Sequence, residues 1–162
     1  MSRLFIGWLM LAVLAPAASA GTTLGRAPMS TNLYFTKVSY LRHQAEQGDP
    51  NAQFILANNY NDPGNAYQLP VDHEQAAEWY HRAARQGHTG AAFNLAVMNI
   101  QARGLSRDLI TGLAWLKIAA AQGHGQSRDL IPELEALLKP EHIAEAERRV
   151  RKLVPSRLLA GN

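Results

Sequence analysis

The chain has 162 residues, 47% of them apolar, and sets sixteen basic against thirteen acidic side chains for a formal charge of +3. That is material for one small domain, and so slight a charge gives no basis for nucleic-acid binding. Cysteine is absent, which excludes both a disulfide framework and the acylated cysteine of a lipoprotein, so packing alone must hold the fold.

The first twenty residues, MSRLFIGWLMLAVLAPAASA, place Arg3 before an apolar run from Leu4 to about Leu14, followed by Pro16 and the small triplet Ala18, Ser19, Ala20. This is the pattern of a secretory signal peptide, residues 1–20, with an A-x-A-like cleavage site. Its apolar core falls short of the roughly 20 residues a helix needs to cross a bilayer, so cleavage after Ala20 is expected, with retention as an anchor the alternative. Cleavage removes one basic residue and no acid, leaving +2. An exported protein, periplasmic or secreted, is the expectation. Residues 21–32 carry no periodic pattern and read as a flexible arm.

Tyr34, Val38, Leu41 and Ala45 then form an apolar stripe that predicts a helix ending near Gly48. Its last stretch, YLRHQAEQG, aligns with WYHRAARQG from Trp79, so it reads as the second arm of a half-repeat. Two full repeats follow. WYHRAARQGH, residues 79–88, and WLKIAAAQGH, residues 115–124, share six of ten letters at a spacing of 36 residues. Gly48 and Gly87 stand 39 residues apart, and the three extra positions fall in a loop marked by DPGN, residues 62–65.

Each repeat holds two helix signatures. The first arm carries Ala52, Leu56 and Asn59 or Tyr60 on one face, and Ala91, Leu95 and Met98 do the same in the second copy. The second arm opens at Asp72 or Asp108, whose carboxylate can accept from the unbonded amides of the first turn. It then presents Ala76, Trp79 or Tyr80, and Ala83, or in the second copy Gly112, Trp115 and Ala119. Gly87 and Gly123 stop these helices, since glycine adopts the left-handed conformation at little cost. Ala83, Ala84, Ala119 and Ala120 leave room for a neighbouring helix, and Trp79 and Trp115 fill it.

The pentapeptide SRDLI occurs at residues 106–110 and 127–131, out of phase with the 36-residue period, so its two copies serve different positions. The second lies in a first-arm-like helix starting near Gln126, which Pro132 should kink or restart. A closing helix follows Pro140 with Ile143, Ala146, Val150 and Leu153 inward, and Pro155 ends it. The repeat domain is thus residues 33–154, with repeats at about 48–86 and 87–122, closing helices at 126–154 and a tail at 155–162.

The recurring A-x-F-x-L-A-x-M, then LPVD or LSRD, then A-x-x-W-Y or A-W-L, then AARQGH or AAAQGH, resembles the Sel1-like repeat, a relative of the tetratricopeptide repeat. The resemblance covers about Tyr40 to Ser127. Within it Asn58 and Asn59 stand where the family usually carries apolar residues, Ala57 and Ala96 replace a common glycine, and Asn99 replaces a tyrosine. It implies an all-α, right-handed solenoid of antiparallel helix pairs: about two full repeats, an N-terminal half-repeat and C-terminal capping helices. It also implies a module that binds a protein or peptide partner without catalysis of its own. A cell-wall (peptidoglycan) enzyme, or a modulator of one, is the alternative; the solenoid ends leave monomer and weak homo-oligomer both open.

Specific chemistry is sparse. HEQAAEWYH, from His73, nearly spells the H-E-x-x-H zinc signature, but Ala77 takes the place of the second histidine and His81 lies two turns on. Glu78 and Arg82 read instead as an i,i+4 pair on a solvated face. No G-x-S-x-G, S-x-x-K or cysteine nucleophile is present, and neither a metal nor a cofactor is expected. His88 and His124 recur in phase and suit a capping or junction role. Gln53, Asn58, Asn59, Asn94, Asn99 and Gln101 make the first arms rich in amides; these form a candidate groove for an extended peptide or are ordinary solvated positions. Arg148, Arg149, Arg151 and Lys152, with Arg157 beyond, could touch an anionic surface or simply complement a helix C-terminus. The structural repeat positions are Trp79, Ala83, Gly87, Trp115, Ala119 and Gly123.

Overall fold

The computed structural model describes residues 29–159, and the expected signal peptide lies outside the described residues, as does most of the expected arm. Seven α-helices occupy them: α1 Met29–Glu46, α2 Pro50–Asn61, α3 His73–Arg85, α4 Thr89–Gln101, α5 Leu109–Ala121, α6 Gly125–Glu135 and α7 Pro140–Leu153, with a 3-10 turn at Ser156–Leu158. No strand occurs among the described residues. α1 begins inside the expected arm, because a helix already nucleated on a packed stretch gains one hydrogen bond for each residue it adds.

The helices stack as α-solenoid pairs: α2 with α3, α4 with α5, joined where α3 packs on α4 and closed at one end by α1. Each turn from second arm to first arm is built alike. Gly48, Gly87 and Gly123 take φ of +96°, +96° and +91°. Beyond them the amides of Asp49, His88 and His124 reach back to the carbonyls of Gln44, Ala83 and Ala119 at 3.2, 3.1 and 3.0 Å, which ties off the helix ends. Asp72 and Asp108 cap α3 and α5, accepting from the amides of Gln75 and Thr111 at 2.9 Å. The inter-arm loops also match: the amides of Asp72 and Asp108 donate to the carbonyls of Tyr60 and Asn99. The longer first loop is closed by Asn65, whose side chain both donates to and accepts from Leu69 at 2.8 Å.

The core runs along the stack. Ala76, Ala83, Ala84, Ala91, Ala96 and Ala119 are fully buried, so helices approach closely, and Leu56, Tyr80, Leu95, Met98, Leu113, Trp115 and Leu116 fill the space between them. Trp115 is more enclosed than its counterpart Trp79, at 1% against 7% exposure. At Gly104, with φ +62°, a Cβ would lie 2.3 Å from the carbonyl group of His73, so only glycine lets the α4–α5 loop rest on the start of α3.

The closing helices depart from the repeat. α6 continues through Pro132 to Glu135 rather than breaking there. Arg128, whose carbonyl the proline leaves unbonded, is exposed and open to water. α7 packs on α5, burying Ala146 with Ile143, Val150 and Leu153 partly covered. Charges fasten it. Arg149 pairs with Asp108 at 2.6 Å, bonds to the Thr111 hydroxyl and reaches Glu145 at 3.2 Å. Lys117 on α5 bridges Glu135 of α6 at 2.8 Å and Glu147 of α7 at 3.3 Å. Burial by itself would lower the Lys117 pKa, but the two carboxylates outweigh it and raise it above the usual lysine value.

Candidate functional site

The first-arm amides turn mainly inward. Gln53, Asn59 and Asn99 are buried. Gln53 donates to the Ala45 carbonyl at 3.0 Å and accepts from Gln86 at 2.8 Å, linking α1, α2 and α3. Asn59 and Asn99 each donate to the carbonyl four residues back, Ile55 and Leu95, at 2.7 and 2.8 Å. Asn58 accepts from the Tyr80 hydroxyl at 2.6 Å and from the Asn94 amide at 3.3 Å, so a polar knot joins the two repeats. Burial pushes the Tyr80 hydroxyl pKa up to about 12, with Asn94 acting the other way. Gln101 alone of the six is exposed. Gln53, Asn59 and Asn99 thus do not stand open to solvent: buried polar groups need partners, which Gln53 finds on Ala45 and Gln86 and Asn59 and Asn99 find on their own helices.

The other sequence candidates separate. His73 Nδ1 lies 3.1 Å from Asn61 Oδ1, Glu78 pairs with Arg82 at 3.5 Å as expected, and His81 sets its ring edge-on to Trp115 with centroids 5.7 Å apart. His81 is thus half-buried rather than solvated, and burial, aided by nearby Arg85, lowers its pKa below the usual imidazole value. No group of three or more metal-ligating side chains occurs among the described residues. His88 and His124 do cap: their Nδ1 atoms accept from the amides of Ala91 and Ser127 at 3.1 and 3.2 Å. In the basic segment Arg148 is held by Glu145 at 2.7 Å and Arg149 by Asp108, while Arg151 and Lys152 are exposed.

A cleft of about 720 Å³ lies between α3, α4 and α5. Ala77 and His81 of α3, Leu95 and Asn99 of α4, and Thr111 and Trp115 of α5 line its interior. Glu74, Glu78 and Arg82 stand along one edge, with Leu105 of the α4–α5 loop and Leu153 of α7 also lining it. Leu95 and Trp115 are almost wholly buried, so little of either is free to a ligand, whereas Leu105 is 37% exposed. Arg82 lies over the Trp79 ring at 4.4 Å, which fixes its position. Of the groove residues that the sequence suggested, only Asn99 lines it; the rest of its lining comes from four helices and a loop spread over some eighty residues, and no single motif marks it.

The family model described as Sel1 repeat matches residues 50–88 and 89–124, each beginning near the start of a first arm. Among solved structures, a protective antigen present in uropathogenic Escherichia coli strains displaying an SLR fold matches at 23% identity with a TM-score of 0.69, over 80% of this chain and 30% of that one. A Sel1 repeat protein from Oxalobacter formigenes matches at 25% identity with a TM-score of 0.56, over 65% of this chain and 84% of that one. The chain thus spans about a third of the first protein's length. Comparison with curated proteins finds no match. No helix among the described residues is long and apolar enough to cross a membrane.

Proposed function

We propose, from the premise that the chain carries two Sel1 repeats, that it is a binding scaffold for a protein or peptide segment, acting after export in the periplasm or outside the cell and without catalysis of its own. The cleft supports this reading: apolar side chains of α7 and the α4–α5 loop share it with the carboxylate of Glu74. A partner offering one apolar side chain beside a basic one suits such a surface, the first for burial and the second for charge complementarity. Export rests on the Arg3, apolar run and A-x-A pattern of the first twenty residues.

The test is affinity recovery from periplasmic extract, comparing the wild type with Leu105→Asp and Glu74→Lys. One protein recovered reproducibly with the wild type and with Gln101→Ala, but lost with both cleft variants, is the expected outcome. Recovery unaffected by the cleft variants moves the site elsewhere, and no reproducible partner sinks the scaffold reading. Turnover of peptidoglycan fragments by the purified protein would replace it with an enzyme.

A further inference from the structure

Asp49, His88 and His124 occupy one position in the repeat frame: each follows the second-arm glycine and caps the next first arm. Asp49 accepts from the amides of Asn51 and Ala52 at 2.8 and 3.3 Å. The two histidines do the same work through Nδ1. A ring nitrogen accepting a backbone N–H carries no proton, so each ring is the neutral tautomer with hydrogen on Nε2. Each also stacks on a phenylalanine of the preceding first arm, His88 on Phe54 with centroids 4.2 Å apart and His124 on Phe93 at 4.4 Å. Protonation turns Nδ1 from acceptor to donor. It then faces another donor at a helix N-terminus, whose dipole also disfavours a cation.

The two junctions differ in side chains, Thr89, Gly90 and Ala91 at one standing where Gly125, Gln126 and Ser127 stand at the other. Ser127 Oγ also lies 3.0 Å from Nδ1 of His124. Ala91, at the matching place beside His88, has no such group.

We propose that the α3–α4 junction, where the two repeats meet, is an acid-sensitive hinge: protonation of His88 uncaps α4 and loosens it against α3. Charged groups on the elements that adjoin His88 include Asp49 before α2, Glu74, Glu78, Arg82 and Arg85 on α3, and Arg157 in the tail whose Leu158 rests against Gly87. Around His124 they are Lys117 on α5 and Arg128 and Asp129 on α6. Neither histidine forms an ion pair with any of these. Burial holds the His88 pKa below the usual imidazole value, its own backbone hydrogen bond acting the other way. With the folded value depressed, the unfolded chain binds more protons, so the His88 contribution is full above the unfolded value of about 6.5 and falls away as pH drops below it. The hinge bears on binding because the cleft is lined from both α3 and α4.

Amide hydrogen exchange on the full chain at about pH 7.5 and about pH 5, corrected for intrinsic rates, brackets the ordinary imidazole value. Loss of a helix cap predicts a ~5-fold fall in protection at the Ala91 and Ala92 amides on acidification, with little change at Thr111, which the Asp108 carboxylate caps. His88→Asp copies the arrangement at Asp49 and keeps a charged acceptor above about pH 4; His88→Asn keeps a neutral one throughout. Both variants should abolish the acid response. Unchanged protection at Ala91 in the wild type, an equal fall at Thr111, or a response that persists in both variants would overturn the proposal.

Discussion

The two repeats superpose in register but not in chemistry. In the first, Gln53 pairs with Gln86 and Asn58 with Tyr80 across the α2–α3 hairpin. At the matching places of the second stand Ala92 with Gln122 and Val97 with Leu116. The second substitution replaces both members by apolar groups, which is close to neutral because no polar atom is stranded. The first replaces only one, and both amide atoms of Gln122 are buried without a hydrogen bond. A repeat therefore tolerates a polar interior or an apolar one; a half-exchanged pair is the costly state.

The largest effect expected from this contrast lies in the tryptophans. Trp115→Ala empties a site enclosed by α4, α5 and the His81 ring and should cost about 4 kcal/mol, near the middle of the range for large aromatic truncations. Trp79→Ala should cost less, because Trp79 is less enclosed and Arg82 over its ring can settle into part of the gap. Urea unfolding of both variants ranks them; equal costs would show that the second repeat is no more tightly packed than the first.

Next in size is the polar pair itself. Asn58→Ala strands the Tyr80 hydroxyl and should destabilise by about 2 kcal/mol. Asn58→Val with Tyr80→Leu imports the pair of the second repeat and should recover most of that loss in a double-mutant cycle. Additive losses would break the equivalence of the two hairpins.

The repeat frame was legible in the sequence because its markers act locally. Asp72, Asp108 and the glycines Gly87 and Gly123 decide helix ends within one turn, and tryptophan with paired alanines fixes the buried face. The same frame put SRDLI in two environments, and the structure agrees: Ser106 lies in a loop and is exposed, whereas Ser127 is buried within α6. The direction of the amides was not legible. Periodicity says that Gln53 and Asn58 are matched by Ala92 and Val97, but not that Gln86, Tyr80 and the Ala45 carbonyl would stand opposite them. Nor does it show α7 held on α5 by Arg149 and Asp108, 41 residues apart. Such contacts depend on which helices dock, and that is settled only when the whole stack forms.

The smallest expected effect is the most diagnostic. Gln86 and Gln122 close their second arms at the same position, yet one is bonded and the other is not. Methionine has nearly the volume of glutamine and no amide to desolvate. Gln122→Met should therefore stabilise the chain by about 1 kcal/mol, at the lower end of the cost of a buried unpaired group. Gln86→Met should destabilise it by a similar amount, since it leaves Gln53 without its partner. Opposite signs from one substitution at two equivalent positions would locate the difference in the missing partner at Ala92. The same sign at both would mean that water reaches Gln122, so that the second repeat is satisfied by solvent where the first is satisfied by its own side chain.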